Sequence, residues 1–342
     1  MAECRLRDGT LVGDYISPYI IAEVNSSHGG NMDMAMQMID AASEAGCNCV
    51  KFQSWSAESL YSASYYREHP VAKRFVNKFS LKPENLRKLA EYCNQRGVGF
   101  SSTPYSEDEV DFLVDIEVPF IKIASMELDN LDFVRYIARK NVPLVLSTGM
   151  GEMEEIGKAV QAIKEEGNHD LILLHCVSVY PAKEETICLN NILGLRERFP
   201  ECPIGFSDHT LGDEVAIGAI ILGAAVVEKH LTLDRSKIGM DNQMAMEPAQ
   251  MKELVRKCRI AQTSLGKKER ILTPQEYEQR KNMRRSFVSA HYIAKGTVLS
   301  KEDLALKRPG TGFAPKDIEN LIGRRTLSDI EADLIIKEEH LE

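Results

Sequence analysis

A (β/α)₈ barrel followed by a small C-terminal domain, an α/β architecture, is the fold this sequence predicts, and three observations point to it. The length of 342 residues accommodates a barrel of roughly 250 residues and one small further unit. Short apolar runs alternate with amphipathic helical patterns all the way from Tyr19 to Gly266. Each run ends in polar residues, as barrel strands do where they meet the face that carries chemistry.

Eight runs occur in order: YIIAEVN from Tyr19, CVKFQ from Cys49, VGFSST from Val98, PFIKIAS from Pro119, PLVLST from Pro143, LILLHC from Leu171, PIGFSDH from Pro203 and AVVEKH from Ala225. They are short and apolar without strict alternation, which suits strands covered on both faces of a parallel sheet. Between them lie helices. Ala35, Met38, Ile39 and Ala42 repeat at helical spacing, and Gly46 can end that helix. Pro83 suits a first turn, Leu86, Leu89, Ala90 and Cys93 make the next stripe, and Gly97 closes it. Ala216, Ala219, Ile220 and Gly223 repeat the pattern after the seventh run. The alternative to a closed barrel is an open doubly wound sheet.

The connection Ser54–Lys82 is long and carries Trp55, Tyr61, Tyr65, Tyr66 and Phe75. Two readings stand side by side: a substrate wall or lid, and a surface excursion packed on its own aromatics. Beyond Gly266 the repeat stops. The expected domains are a barrel over 1–266, a polar, basic, helix-prone linker over 267–285, and a loop-rich unit over 286–342 with turns at Lys295-Gly296 and Pro309-Gly310 and a short helix near Lys316–Ile322.

Composition narrows the function classes. A net charge of −9 argues against a nucleic-acid surface, and the basic run Arg280–Arg285 reads as a solvated connector. No apolar run approaches the roughly 18 residues of a membrane span, and the start MAECRLRDGTLVGDY lacks a signal pattern. Eight cysteines without metal-like spacing read as reduced, mostly buried thiols. A cytoplasmic enzyme is therefore expected.

The candidate site is the set of strand ends. In order they bring Glu23 and Asn25, then Lys51 and Gln53, then Ser101 to Thr103, then Lys122, Ser125 and Glu127. The later ends bring Ser147 and Thr148, then His175, Ser178 and Tyr180, then Ser207, Asp208 and His209, and last Glu228, Lys229 and His230. Two lysines amid hydroxyls suit an anionic, phosphorylated ligand. His209 and His230 on neighbouring strand ends suit a divalent metal. Glu23 and Glu127 are placed either as metal ligands or as groups that handle substrate protons. A lysine inside an apolar strand also admits a Schiff-base aldolase through Lys51 or Lys122.

Taken together, YIIAEVNSSHGGNM, CVKFQ, FSSTPY, IKIASMELDN, LSTGM, LLHCVSVYP, IGFSDHT, VEKHLT and KRPGTG resemble the sialic (nonulosonic) acid synthases over nearly the whole chain. The C-terminal part resembles that family's antifreeze-like (SAF) domain. The resemblance implies metal-dependent condensation of phosphoenolpyruvate with an N-acyl amino sugar. It assigns Lys51, Thr103, Lys122, Ser125, Ser147, Ser178 and Ser207 to phosphoenolpyruvate, and His209 and His230 to Mn²⁺, with Mg²⁺ or Co²⁺ as substitutes. It places Glu23 and Glu127 beside the metal and the reacting aldehyde, and Gln53, Tyr180 and Asp241 on the sugar. Arg308 would reach the site of a partner chain, which implies a domain-swapped homodimer. Two positions depart from the family pattern: Ser27 precedes His28, and Ser178 precedes Tyr180 by two, where asparagine is usual. The departures admit a 2,4-diacetamido-2,4,6-trideoxyhexose in place of N-acetylmannosamine. A member that binds its ligands without turnover is a further alternative.

Overall fold

The computed structural model describes residues 2–237 and 239–342, which form two compact units, Met1–Gly266 and Lys267–Glu342. In the first, eight parallel strands carry the eight apolar runs: β1 Tyr19–Glu23, β2 Cys49–Gln53, β3 Gly99–Thr103, β4 Ile121–Ile123, β5 Leu144–Ser147, β6 Leu171–Cys176, β7 Ile204–Asp208 and β8 Val226–His230. They pair in the order β3-β2-β1-β8-β7-β6-β5-β4. At the seam between β4 and β3, the Ser101 hydroxyl donates to the Phe120 carbonyl at 2.8 Å. The result is a TIM-type barrel rather than an open sheet.

Burial on both faces explains the unalternating runs, and the structure sorts the two faces. Ile20, Ala22, Val50, Phe52, Leu144, Leu146 and Phe206 pack outward against the helices. Tyr19, Ile21, Cys49, Phe120, Val145, Ile172, Leu174 and Val226 fill the barrel interior. A short hairpin, Glu3–Arg5 with Leu11–Gly13, adds Cys4, Leu6 and Val12 to that inner core. Its three-residue strands are too short for sequence periodicity to detect. Gly205 lets the inner core close: a Cβ there would lie 2.5 Å from Leu174 Cδ2 and 2.7 Å from Val226 Cβ.

The helices follow the expected stripes. Met32–Ala45 buries Ala35, Met38, Ile39 and Ala42, is capped by the Asn31 side chain, and ends at Gly46 with φ 85°. Pro83–Gln95 starts on its proline and buries Leu86, Leu89 and Cys93. The connection Ser54–Lys82 folds into three short helices, Ala57–Leu60, Ala63–Glu68 and Pro70–Phe79. Trp55, Ala57, Tyr66, Val76 and Phe79 form its own small core.

In the second unit a helix spans Pro274–Met283, set by a capping box between Thr273 and Glu276 with proline in its first turn. β9 Ser286–Ser289 and β10 Leu304–Lys307 pair antiparallel over a core of Phe287, Ile293, Leu299, Leu321, Ile330, Ile336 and Leu341. The short helix expected near Lys316–Ile322 is a 3₁₀ segment, Pro315–Asn320. No helix among the described residues is long and apolar enough to cross a membrane.

Candidate active site

The inner row of each strand runs from apolar to polar as it reaches the C-terminal mouth. Alternate residues point inward, so Ile21 is followed by Glu23, Cys49 by Lys51 and Gln53, Phe120 by Lys122, Val145 by Ser147, Leu174 by Cys176, and Val226 by Glu228 and His230. Register aligns these ends. Glu23 lies opposite Lys51 on one side and His230 on the other, Gln53 opposite Thr103, and Glu228 opposite Ser207. They converge on a cleft of about 350 Å³.

Glu23, Lys51, Gln53, Thr103, Lys122, Ser125, Ser147, Ser178, Tyr180, Ser207, His209, His230 and Asp241 all line this cleft. Glu127 does not. The chain turns into a 3₁₀ helix, Ser125–Glu127, straight after β4, so strand alternation no longer holds there. Its carboxylate instead accepts from Asn130 Nδ2 at 2.8 Å. Arg308 lies exposed in the second unit, just after β10, and makes no ion pair among the described residues. Further residues line the cleft as well. Glu228 and Asn25 were visible as polar strand ends, whereas Tyr105 and Cys176 carried no separate sequence signal.

Charge at the floor is buried and nearly balanced. Lys51 Nζ pairs closely with Glu23, lies 3.7 Å from Glu228 Oε2, and donates to Thr103 Oγ1 at 3.3 Å. Lys122 Nζ lies 3.9 Å from Glu228 Oε1, which also accepts from the Ser207 hydroxyl at 2.9 Å. Burial raises the Glu23 carboxyl above the usual range, although Lys51 opposes it. Burial also pushes on Glu228, but Lys122 and Lys51 outweigh it and hold that carboxyl low. For Lys122, burial dominates and lowers the ammonium.

Several buried polar atoms of residues lining this cleft have no hydrogen-bond partner among the described residues: Ser147 Oγ, Glu228 Oε2, Asn25 Oδ1 and His230 Nδ1. Buried polar groups are normally satisfied, so their convergence marks a place built to receive a polar ligand. Gly149 makes room for it. Its N–H donates to Ser125 Oγ at 3.0 Å, and a Cβ there would lie 2.3 Å from Ser178 Oγ and 2.8 Å from Ser125 Oγ.

The imidazoles of His209 and His230 have ring centroids 5.6 Å apart. His209 Nδ1 donates to the Val177 carbonyl at 2.8 Å, which leaves Nε2, 3.5 Å from Ser207 Oγ, as the nitrogen with a lone pair. Tyr180 lies against this ring with centroids 4.1 Å apart. Burial holds His230 well below the ordinary histidine range, so it is neutral, the form that ligates metals. Among the described residues no set of three His, Cys, Asp or Glu side chains is disposed to hold an ion. The two imidazoles fit a metal that takes its other ligands from water or substrate.

Behind them the outer row is structural. Lys229 Nζ donates to Asp208 Oδ2 at 2.7 Å and to the Thr210 carbonyl at 2.6 Å, and Asp208 Oδ1 accepts from Thr210. His175 also faces outward, with Nε2 2.6 Å from the Ile187 carbonyl and its ring stacked on Phe206. The excursion Ser54–Lys82 does two things. It packs on its own aromatics, and it presents Trp55, Leu60 and Tyr61 to the cleft. Trp55 Nε1 and the Tyr105 hydroxyl both donate to Gln53 Oε1, at 2.8 and 3.1 Å, while Gln53 Nε2 donates to Glu23 at 3.2 Å.

Fold and site together define a barrel enzyme with two buried lysines and two buried carboxylates at its floor and a pair of buried imidazoles beside them. The profile of the NeuB family matches residues 38–270, and that of the SAF domain matches residues 284–342. The chain belongs to the NeuB family. It is 36% identical to the N,N'-diacetyllegionaminic acid synthase of Legionella pneumophila, over 96% of each chain. It is 33% identical to the human N-acetylneuraminate-9-phosphate synthase, over 98% of this chain and 96% of that one. Among solved structures, the N-acetylneuraminic acid synthetase of Leptospira borgpetersenii in complex with citrate superposes with a TM-score of 0.74 at 30% identity, covering 81% of this chain and 96% of that one.

Proposed function

We propose that the chain condenses phosphoenolpyruvate with the open-chain aldehyde of an N-acyl amino sugar. The product would be a nonulosonic acid of the sialic, legionaminic or pseudaminic type, with inorganic phosphate released. The observation that carries this reading is the floor: two buried lysines among Thr103, Ser125, Ser147, Ser178 and Ser207 in one cleft. Phosphoenolpyruvate brings a phosphate and a carboxylate. Lys51 and Lys122 would neutralise them while the hydroxyls donate to their oxygens, fixing one face of the enol toward the mouth. Gln53, Tyr180 and Asp241 would hold the sugar.

A divalent ion held by His209 and His230, Mn²⁺ first and Mg²⁺ or Co²⁺ as substitutes, would supply Lewis-acid polarisation of the aldehyde when bound. The chain's own residues carry the rest. As the enol C3 bonds to the aldehyde carbon, the aldehyde oxygen takes a proton. Glu23, whose carboxyl burial raises above the usual range although Lys51 opposes it, would give it. Water then adds at C2, its proton returning to Glu23. Phosphate leaves as the C–O bond breaks, taking the proton of the C2 hydroxyl, and the ketone forms. Phosphoenolpyruvate labelled with ¹⁸O at the bridging position should yield labelled phosphate; unlabelled phosphate would mean P–O cleavage and refute the scheme.

The lowered Lys122 ammonium favours one competitor, a Schiff-base aldolase. Borohydride trapping with substrate decides between them, and no covalent adduct is expected. We also propose a cytoplasmic homodimer in which Arg308 of the partner subunit completes the mouth.

A further inference from the structure

The amide of Gln53 is gripped at its oxygen, and that grip decides which end of it meets Glu23. Gln53 closes β2 and lines the cleft. Its Oε1 accepts from Trp55 Nε1 at 2.8 Å and from the Tyr105 hydroxyl at 3.1 Å, and its Nε2 donates to Glu23 Oε1 at 3.2 Å. An indole N–H can only donate, so the amide atom that faces Trp55 has to be the oxygen. Burial raises the Tyr105 phenol well above its ordinary range, so it keeps its proton and donates too. With both lone pairs of the amide oxygen engaged, the nitrogen end is committed to the side where Glu23 lies. Glu23 Oε1 accepts there from the Asn25 backbone N–H as well, at 2.9 Å.

Both donors are themselves held. Trp55 is 2% exposed and packs with Tyr66, Val76 and Phe79 in the small core of the excursion. Tyr105 follows β3, and its backbone N–H donates to Glu109 Oε2 at 2.6 Å. The other oxygen of that carboxylate, Oε1, accepts from the Ser59 hydroxyl at 2.7 Å, and Ser59 belongs to the wall helix Ala57–Leu60. Glu109 therefore clasps the wall to the segment that carries Tyr105. We infer that Trp55 and Tyr105 are positioning residues: acting through Gln53, they fix the orientation from which the Glu23 carboxyl works. The inference rests on the part given to Glu23 in the condensation proposed above. Loss of either donor loosens the amide. Once it turns over, its oxygen faces a carboxyl oxygen of Glu23, two acceptors with no hydrogen between them.

A double-mutant cycle tests this. Phosphate release is followed with phosphoenolpyruvate, Mn²⁺ and whichever of N-acetylmannosamine and 2,4-diacetamido-2,4,6-trideoxyhexose the unaltered chain turns over faster. Tyr105→Phe and Trp55→Phe are each made in the unaltered chain and in Gln53→Met, which keeps much of the side-chain length and has no amide. In the unaltered chain each should lower kcat by about threefold to tenfold, the worth of one hydrogen bond, with the KM for phosphoenolpyruvate changed by less than about twofold. In Gln53→Met each should cost less than about twofold. A cost that persists undiminished in Gln53→Met, or no cost in the unaltered chain, overturns the inference and leaves the condensation standing. No phosphate release by the unaltered chain refutes the condensation, and the inference falls with it. A second arm is independent of turnover. Trp55 is the only tryptophan in the chain, so its indole N–H gives a single resonance in a ¹⁵N-labelled sample. Exchange of that proton with water should quicken by about tenfold in Gln53→Met. Unchanged exchange would mean that Gln53 does not hold the indole, and the inference would be wrong.

Discussion

Gly149 offers a sharp test of the anion floor. An alanine there keeps an allowed backbone but adds a methyl 2.3 Å from Ser178 Oγ, 2.8 Å from Ser125 Oγ and 3.2 Å from Cys176 Sγ. Ordinary carbon contacts need about 3.5 Å, so both hydroxyls must swing away. Each hydrogen bond to a charged oxygen contributes about 1.5–3 kcal/mol. Losing two costs about 3 kcal/mol at the low end, which corresponds to a rise of about a hundredfold in the KM for phosphoenolpyruvate. The KM for the sugar should change far less. Fold stability should fall by about 1–3 kcal/mol, the usual cost of overpacking. Steady-state kinetics with each substrate varied in turn, run beside urea denaturation, measures all three. The decisive control is Gly149→Ala in a Ser125→Ala, Ser178→Ala background, where the methyl has no hydroxyls to displace. If the methyl costs as much there as in the wild type, it acts elsewhere and the reasoning fails.

Other outcomes follow from the same geometry. Burial lowers the His28 imidazole to about 4, so the unfolded chain takes up its proton first as pH falls. Stability is complete above about 6.5 and is lost as pH drops toward 4, by about 3 kcal/mol at most. His28→Gln should flatten urea stability between pH 7 and 4 relative to wild type; parallel profiles would contradict this. Lys229→Met leaves Asp208 charged and unpaired behind the sheet and should cost about 3–5 kcal/mol in chemical denaturation, most of it restored by adding Asp208→Leu. His209→Gln and His230→Gln should each abolish Mn²⁺ binding by isothermal titration calorimetry, and EDTA should silence the wild type; unaltered binding in either variant would remove that imidazole from the ligand set.

Much of this could be read from the chain, for identifiable reasons. Strands buried on both faces leave apolar runs with sharp polar ends, so β1 to β8 stood out. A run hides which of its residues faces inward. That is why Lys229 and Asp208 looked as functional as His230 and His209, although they work on the outer face. Glu228 was seen only as one polar end among many. Its place between Lys51 and Lys122 depends on strands far apart in sequence. The resemblance puts Glu127 beside the metal and the aldehyde, but the strand ends at Ile123 and the chain turns into a 3₁₀ helix at Ser125, where position along the sequence no longer says which way a side chain points. The aromatic excursion resisted a single reading because it does two things at once: it builds its own core and walls the cleft.

The Lys229–Asp208 pair has a consequence for how this enzyme can change. It ties β7 to β8 from the side away from the cleft, one residue from each imidazole. The gap between the two ring nitrogens is therefore governed from the back of the sheet. At the metal site proposed above, a substitution at Lys229, Asp208 or Thr210 would act on His209 and His230 from behind, while every residue that lines the cleft stayed the same. Searches for variants of that proposed site would do well to sample this hidden row, where the ring spacing can change with both imidazoles kept.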